Sequence, residues 1–321
     1  MKFISWILYV PLQLIALPIC IFGMLLISYR QMLVSKRLGV SQTAIEVFNA
    51  RWTLHIFGMR KDPGAVKLGS VLPNTSTLGL WLALFPLWCK AKIAGEAEIY
   101  PRRVNPGFET VMDLFTARTF YFDHIITRHI PLVRQFVMLG AGMDTRPYGT
   151  LNINNLNVFE IDLATTQRLK IESLSKAKLA TDHVTFVPMD FARDALFERL
   201  GAGRYDRHQK TLFLWEGVTL YLPEATIHQT LVKVFNQSVA GSALVADFYS
   251  DRLVTKMKSR LGHKLLQYTQ EAAQFSLNFD EAWEQKLRAF VQSTGFTLGE
   301  TYFMGNQSPH GPFMVVAELV A

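Results

Sequence analysis

The sequence predicts an α/β fold: a mostly parallel, doubly wound sheet with helices on both faces, preceded by an apolar N-terminal helix. Three observations carry this. From Phe136 onward short apolar runs alternate with helical patterns, as expected of βαβ units. The first run, Phe136-Val-Met-Leu, passes into Gly140-Ala-Gly142, and a second, Val158-Phe-Glu-Ile, ends on Asp162 about twenty positions later. No charged residue interrupts the stretch from Phe3 to Tyr29.

As a helix, residues 3–29 would extend about 40 Å, enough to cross a hydrocarbon core of about 30 Å with some tilt. Pro11 and Pro18 would kink it, which membrane helices tolerate. A cleaved signal peptide is the competing reading, but the run is long for one and no small-x-small site follows before Arg30. The expectation is therefore a retained anchor over residues 1–40, including a basic juxtamembrane segment. Lys2 precedes the apolar run, while Arg30, Lys36 and Arg37 follow it. The positive-inside bias places the C-terminal side of the anchor in the cytoplasm.

Residues 41–130 read as a helical region that caps the sheet domain. Ser41-Gln-Thr-Ala-Ile-Glu46 is a helix start, with Ile45, Phe48, Trp52 and Ile56 on one face, and Lys61-Asp-Pro-Gly64 breaks the pattern. A second apolar stretch, 78–89, is too short to span alone and follows a helix-start signal, Asn74-Thr-Ser-Thr77. Trp81, Trp88, Lys90 and Lys92 suit an interfacial or re-entrant helix; a buried helix of the domain and a second span remain open. A loop over 101–106 leads to a long helix around 109–128.

The third segment, 131–321, holds the expected strands at 136–140, 158–162, 184–187, 212–215, 243–248 and 313–319. Helices are expected at 164–179, 192–200 and 224–239. Residues 251–290 are too many for a simple crossover and read as helical, part of a cap.

Net charge is +7, but residues 1–130 hold 14 Lys/Arg against 7 Asp/Glu, and residues 131–321 hold 19 against 19. The positive excess lies beside the apolar segments, which favours an anionic membrane surface over nucleic acid as partner. Cys20 and Cys89 each sit in an apolar run, without metal-ligand spacing or a disulfide framework. No metal site is expected.

The glycine loop carries the chemistry. Glycines let the backbone approach a nucleotide-like cofactor, and a carboxylate at the end of the next strand takes ribose hydroxyls. A nicotinamide-type loop would want a third glycine at position 145, where this chain has Thr145. The Gly-Ala-Gly-x-Asp-Thr-Arg form points instead to S-adenosylmethionine.

Five motifs then occur in order: Ala117-Arg-Thr-Phe-Tyr-Phe-Asp123, Leu139-Gly-Ala-Gly-Met-Asp-Thr-Arg146, Phe159-Glu-Ile-Asp162, Met189-Asp-Phe-Ala-Arg193 and Trp215-Glu-Gly-Val-Thr-Leu-Tyr221. With them the chain resembles, from about Ser41 on, the leucine carboxyl methyltransferase-like family of S-adenosylmethionine-dependent O-methyltransferases, as a membrane-anchored bacterial-type member. The first forty residues have no counterpart in the soluble members, and 65–100 looks altered. The resemblance implies a class I methyltransferase (Rossmann-like) fold.

It also implies residue roles. Arg118 would pair with the methionine carboxylate, a task suited to a bidentate guanidinium. Gly140, Ala141 and Gly142 would form the cofactor loop. Asp162 would accept from the ribose, in preference to Glu160 two residues earlier. Asp190 would take the adenine amino group, unless it is only a helix cap, and Phe191 would wall the ring. Glu216 stands at a strand's C-terminal end, where open α/β sheets place ligands, and a carboxylate there is costly to bury unless used. Asp144 and Arg146 pair with each other, or Arg146 faces an anionic substrate. Tyr148, Tyr221, Tyr249 and His310 are further substrate-side candidates.

A sulfonium methyl group is already activated, so alignment and water exclusion are the main tasks. A carboxylate acceptor needs no general base, whereas a hydroxyl would want one, and no residue announces itself for that role. The sequence therefore favours O-methylation of a carboxylate over a hydroxyl, on a lipophilic small molecule or lipid-like acceptor at the membrane. A protein C-terminal carboxyl methyltransferase and a non-catalytic cofactor-binding membrane protein are the alternatives.

Overall fold

Seven strands form one sheet, in the order β3-β2-β1-β4-β5-β7-β6. They are β1 (Gln135–Leu139), β2 (Asn157–Asp162), β3 (Val184–Pro188), β4 (Thr211–Trp215), β5 (Ala243–Tyr249), β6 (Thr297–Met304) and β7 (Met314–Val320). The order reverses between β1 and β4, which places a crevice at their C-terminal ends. The architecture comes from a computed structural model that describes residues 2–151, 153, 155–258 and 273–321.

Side chains alternate across the sheet as the period of two requires. Phe136, Met138, Leu212, Leu214 and Val245 face one layer; Val137, Leu139, Phe213, Trp215 and Leu244 face the other. The first layer holds α3 (Gln42–Ile56), α4 (Pro63–Gly69), α6 (Leu114–His129) and α7 (Ala164–Lys176). The second holds α8 (Leu196–Gly201), α9 (Glu224–Asn236) and α11 (Trp283–Ser293). Ile45, Phe48, Trp52 and Phe122 belong to the same core cluster as Phe136 and Leu212. The helical region 41–130 is thus fused to the sheet through a common core.

Helix starts follow their sequence signals. Ser41, Asp62 and Ser76 each accept a backbone N–H three residues on, from Ala44, Ala65 and Gly79. The long helix begins at Leu114 and not at 109, because Thr110 and Asp113 form a capping box around a 3-10 turn. The break expected at Lys61–Gly64 lies later than the end of α3 at Ile56, and Asp62-Pro63 opens α4 instead.

The sheet is mostly parallel as expected, two of its features carry no expectation, and two expectations need correction. β6 had no sequence signal, since its burial does not alternate cleanly. β7 runs antiparallel to both neighbours, so the sheet is mixed. The helix expected at 192–200 starts only at Leu196, because Asp190 accepts from Ala192 N and Asp194 accepts from Asp190 N, which holds the chain in a turn. The 251–290 stretch is not one helix: α10 (Asp251–Lys258) and the start of α11 are helical, whereas 273–280 contains no helix and includes a bridge from Leu277 to Ser250. The part of that expectation covering 259–272 lies outside the described residues.

At the N-terminus α1 (Lys2–Ser28) continues through a wider turn at Tyr29–Val34 into α2 (Ser35–Leu38). Against it packs α5 (Thr77–Ala94), which holds the 78–89 stretch. Both are long and apolar enough to cross a membrane by length and composition, with mean hydropathy of 2.4 and 1.2. Cys20 is buried within this layer and Cys89 half-buried.

Candidate functional site

A cavity of about 650 Å³ opens over the C-terminal ends of β1, β2 and β4, a size usual for small-molecule sites. Its floor is the turn after β1. Gly140 N and Ala141 N both donate to Ile161 O, at 2.8 and 2.9 Å, which draws the turn onto β2. Gly140 has φ +74°, and a Cβ there would stand 2.4 Å from Val218 Cγ2. Only glycine fits this position.

Asp162 closes the floor. Its Oδ2 accepts from Gly142 N at 2.7 Å and its Oδ1 from Leu163 N at 2.7 Å. Burial pushes its carboxyl up, while those two amides pull the other way. Glu160 lies two residues further inside β2 and off the cavity lining, accepting from Tyr148 Oη at 2.8 Å and pairing with Lys170 at 2.6 Å. The preference for Asp162 over Glu160 agrees with this geometry. Asp190 and Phe191 line the cavity next to Asp162, and Phe191 packs against Trp215 with ring centroids 5.9 Å apart. Asp190 also accepts from Ala192 N at 2.9 Å, but in a turn and not at a helix start, so the helix-cap reading does not stand while the cavity position does.

The far wall is an ionic cluster. Glu216 Oε2 accepts from Arg51 Nη2 at 2.8 Å and Arg146 Nη1 at 2.7 Å, and its Oε1 lies 3.4 Å from Arg118 Nη2. Arg118 is buried on α6; its Nη1 donates to Asp247 Oδ2 at 3.0 Å and Tyr249 Oη at 2.6 Å. Burial opposes ionisation of Glu216, but Arg51, Arg146 and Arg118 outweigh it and push the carboxyl down to about 2. Asp144 is held below the carboxylate range in the same way, against burial, by Arg146 and Arg51. Burial pushes Asp247 up, in spite of Arg118.

Several buried polar atoms of this wall lack hydrogen-bond partners among the described residues: Arg118 Nε and Nη2, Arg51 Nε and Glu216 Oε1. Arg118 Nη2 and Glu216 Oε1 face each other at 3.4 Å as an ion pair without hydrogen-bond geometry, and charged groups left short of hydrogen bonds beside a cavity are costly unless a ligand meets them. A free amino-acid group supplies the complement, its carboxylate for the arginines and its ammonium for Glu216. The methionine end of S-adenosylmethionine carries both, so these residues fit that cofactor.

Among the remaining candidates, Tyr221 and Tyr249 line the cavity, although Tyr249 Oη also donates to Asp247 Oδ2 at 2.8 Å. Three must be corrected. Arg146 lies outside the cavity lining and is fully buried among Asp144, Asp123 and Glu216, the first of which accepts from its backbone N at 2.8 Å. Of its two readings the structural pair with Asp144 stands and the anion-facing one does not. Tyr148 is committed to Glu160. His310 is exposed and away from the lining.

Sequence reasoning missed three residues. Arg51 and Glu46, both on α3, line the cavity, and Asp247 stands behind the wall, accepting from Arg118 Nη1. Burial raises the Glu46 carboxyl, and Arg118 pulls it back. Arg51 lay one helical turn after Val47, on a helix read only for its apolar face.

Comparison with known proteins bears on this geometry. Residues 83–235 match the leucine carboxyl methyltransferase family. All five sequence motifs fall inside that range. A Bacillus subtilis protein is 32% identical over 142 residues, 43% of this chain and 46% of that protein. One from Mycobacterium marinum is 31% identical over 159 residues, 48% of this chain and 51% of the other. One from Frankia alni is 33% identical over 130 residues, 40% and 45% of the two chains. Each carries the provisional name S-adenosyl-L-methionine-dependent methyltransferase. The chain spans about half the length of these curated relatives.

Proposed function

We propose that this chain is an S-adenosylmethionine-dependent O-methyltransferase acting at a membrane on a lipophilic small molecule or lipid-like acceptor. The observation that carries the proposal is that Arg118, Arg51 and Glu216, whose buried guanidinium and carboxylate groups are short of hydrogen bonds, line the same cavity as the Gly140–Gly142 turn and Asp162. When bound, the cofactor supplies an activated methyl group. The chain's own part is to orient and to exclude water. Asp162, Asp190 and Phe191 hold the adenosyl end, and Arg118, Arg51 and Glu216 hold the amino-acid end.

The acceptor side is formed by apolar residues: Val40, Val47, Val111, Leu114, Phe115 and Leu253. Val40 comes directly after the anchor helix, and Lys36 also lines the opening. An apolar acceptor dissolved in a membrane therefore meets the cavity next to the point where α1 and α2 end. The excess of basic residues before position 131 supports attachment to an anionic leaflet, with the sheet domain on the cytoplasmic side. Glu46 supplies a base where the acceptor oxygen is a hydroxyl, which weakens the argument for a carboxylate from the lack of one.

A second reading has one observation behind it: the matched family is described by its leucine carboxyl chemistry, which favours a protein C-terminal carboxylate as acceptor. Native membranes incubated with methyl-labelled S-adenosylmethionine and the protein separate the readings. Label in the lipid or small-molecule fraction is expected, and label in protein supports the second reading. Calorimetric binding of the cofactor with no transfer to either fraction would mean a non-catalytic binding protein, and no binding would end the proposal. An Arg118→Lys variant should bind the cofactor at least about tenfold more weakly, since an ammonium cannot replace the fork of donors.

A further inference from the structure

The two ends of α1 are both tied to the folded domain. At its start Lys2 pairs with Glu96, just beyond the end of α5, and Trp6 lies under Lys90 Nζ at 4.4 Å. Past its end Arg30 Nη1 donates to Pro73 O at 2.8 Å, and Asn74 Nδ2 donates to Ser35 Oγ at 3.1 Å. Between these points α1 runs antiparallel along α5. The two helices touch backbone to backbone, since a Cβ at Gly23 would stand 2.7 Å from Gly79 O.

The other side of α5 rests on α3. Just before α5 begins, Thr75 Oγ1 donates to Asn49 Oδ1 at 2.5 Å. Trp81 meets Trp52 edge-on at 5.8 Å, and one level further Trp88 Nε1 donates to Ile56 O at 3.3 Å. So α5 and α3 advance together in the same sense, and α3 carries Arg51 into the ionic wall.

This layering fixes what α1 can do in a bilayer. Set upright across a membrane, it would carry α5, α3 and the buried Arg60–Asp62 pair, tied to Leu54 and His55 of α3, to about the depth of its own midpoint, and the Arg51–Glu216 pair to the level of Gly23. Charged and hydrogen-bonded groups are costly there. Laid flat, α1 offers one leaflet its outer side, where Ile4, Ile15 and Leu25 are 56%, 78% and 63% exposed, while the domain stays in water. Flanking Lys2, Arg30, Lys36 and Arg37 then sit at headgroup level. The helix is apolar all round because its inner side meets α5 and its outer side meets lipid.

We propose that α1 lies in the plane of the membrane surface, as an apolar outer layer of the domain facing one anionic leaflet, and does not cross the bilayer. This rests on the proposed membrane attachment and deepens it.

Depth measurement tests it. In a Cys20→Ala, Cys89→Ala background, Ile4→Cys, Ile15→Cys and Leu25→Cys are each labelled with an environment-sensitive fluorophore. The full chain is added to phosphatidylcholine–phosphatidylglycerol vesicles carrying shallow or deep lipid quenchers. The expected result is one common shallow depth at all three sites. Ile15 lying deeper than both other sites would overturn the in-plane geometry and leave attachment standing. Failure to sediment with the vesicles, or a lipid-free dimer that shields all three probes, would overturn attachment itself. As a second measurement, a membrane-impermeant maleimide should label Lys2→Cys and Asp280→Cys from the same side of sealed vesicles; labelling from opposite sides would mean a span.

Discussion

Arg51 Nη2 stands 2.8 Å from Glu216 Oε2, a bond between residues 165 positions apart that joins α3 to the end of β4. Arg51 Nη1 also reaches Asp144 Oδ2 at 3.0 Å. One side chain thus holds the helical layer, the turn after β1 and the cavity wall in register. Removing one partner of a buried ion pair costs about 3–5 kcal/mol. Because Glu216 keeps Arg146 and Arg118, the Arg51→Met variant should lose roughly 3 kcal/mol, the low end of that range. Urea unfolding measures this; a loss below about 1 kcal/mol, the value of an exposed pair, would place the bond in solvent. Arg51→Lys should restore only part, since lysine cannot bridge two carboxylates with one planar group.

The turn after β1 makes a separate prediction. Gly140→Ala places a methyl group 2.4 Å from Val218 Cγ2 in a left-handed backbone. Strain of this kind costs about 1–3 kcal/mol, and relief by moving the turn would disturb the floor formed with Asp162. Cofactor affinity, read by calorimetry, should fall at least about tenfold. Val218→Ala in the Gly140→Ala background should recover part of the stability but not the φ penalty. An additive double mutant would show that the two side chains do not collide.

How far these features were legible in the sequence depends on the kind of signal. The turn and Asp162 could be read because a glycine pair between two apolar strands has few other uses. Ser41, Asp62 and Ser76 announced their helices by local hydrogen bonding alone. Arg51, Glu46 and Asp247 could not be read, since their roles come from residues brought together by the fold, as with Arg51 and Glu216. Arg146 misled for the related reason that a buried arginine looks the same in sequence as one facing a substrate. β6 was silent because its burial follows its neighbours and not a period of two. The relation of α1 to the domain was hidden too: a helix packed on protein along one side and apolar on its exposed side has the same composition as a span.

Acid should act on the wall in two stages. Glu216 sits at about 2 in the folded chain against an ordinary 4.5, and Asp144 is depressed as well. A depressed carboxyl contributes stability that is complete above its unfolded value and is lost as pH falls through the folded one. Loss should therefore concentrate between about pH 4.5 and 2. Asp162 and Asp247 have the opposite sign, since burial raises them. Their penalty is relieved as pH falls through their raised values toward the ordinary 3.8, which offsets the first part of the loss. Urea midpoints across pH should accordingly pass through a shallow maximum on the acid side of neutrality and then drop steeply. A midpoint unchanged down to pH 2.5 would show that the arginine cluster does not hold Glu216 and Asp144 ionised.

Glu46 offers a test of the acceptor class in the proposed O-methylation. It lines the cavity from α3, and burial raises its carboxyl above the ordinary 4.5 although Arg118 pulls it back. A base with a raised value loses its working form sooner as pH falls, so wild-type kcat should decline on the acid side above the usual carboxylate range. Glu46→Gln keeps the size of the side chain and removes the base. With a hydroxyl acceptor its kcat should fall by about 100-fold and lose that acid limb, while the loss in cofactor affinity, through the neighbouring Arg118, should be far smaller than that. A carboxylate acceptor arrives ionised and has no proton to give up. Unchanged kcat in Glu46→Gln would therefore remove Glu46 as a base and return the case to a carboxylate acceptor.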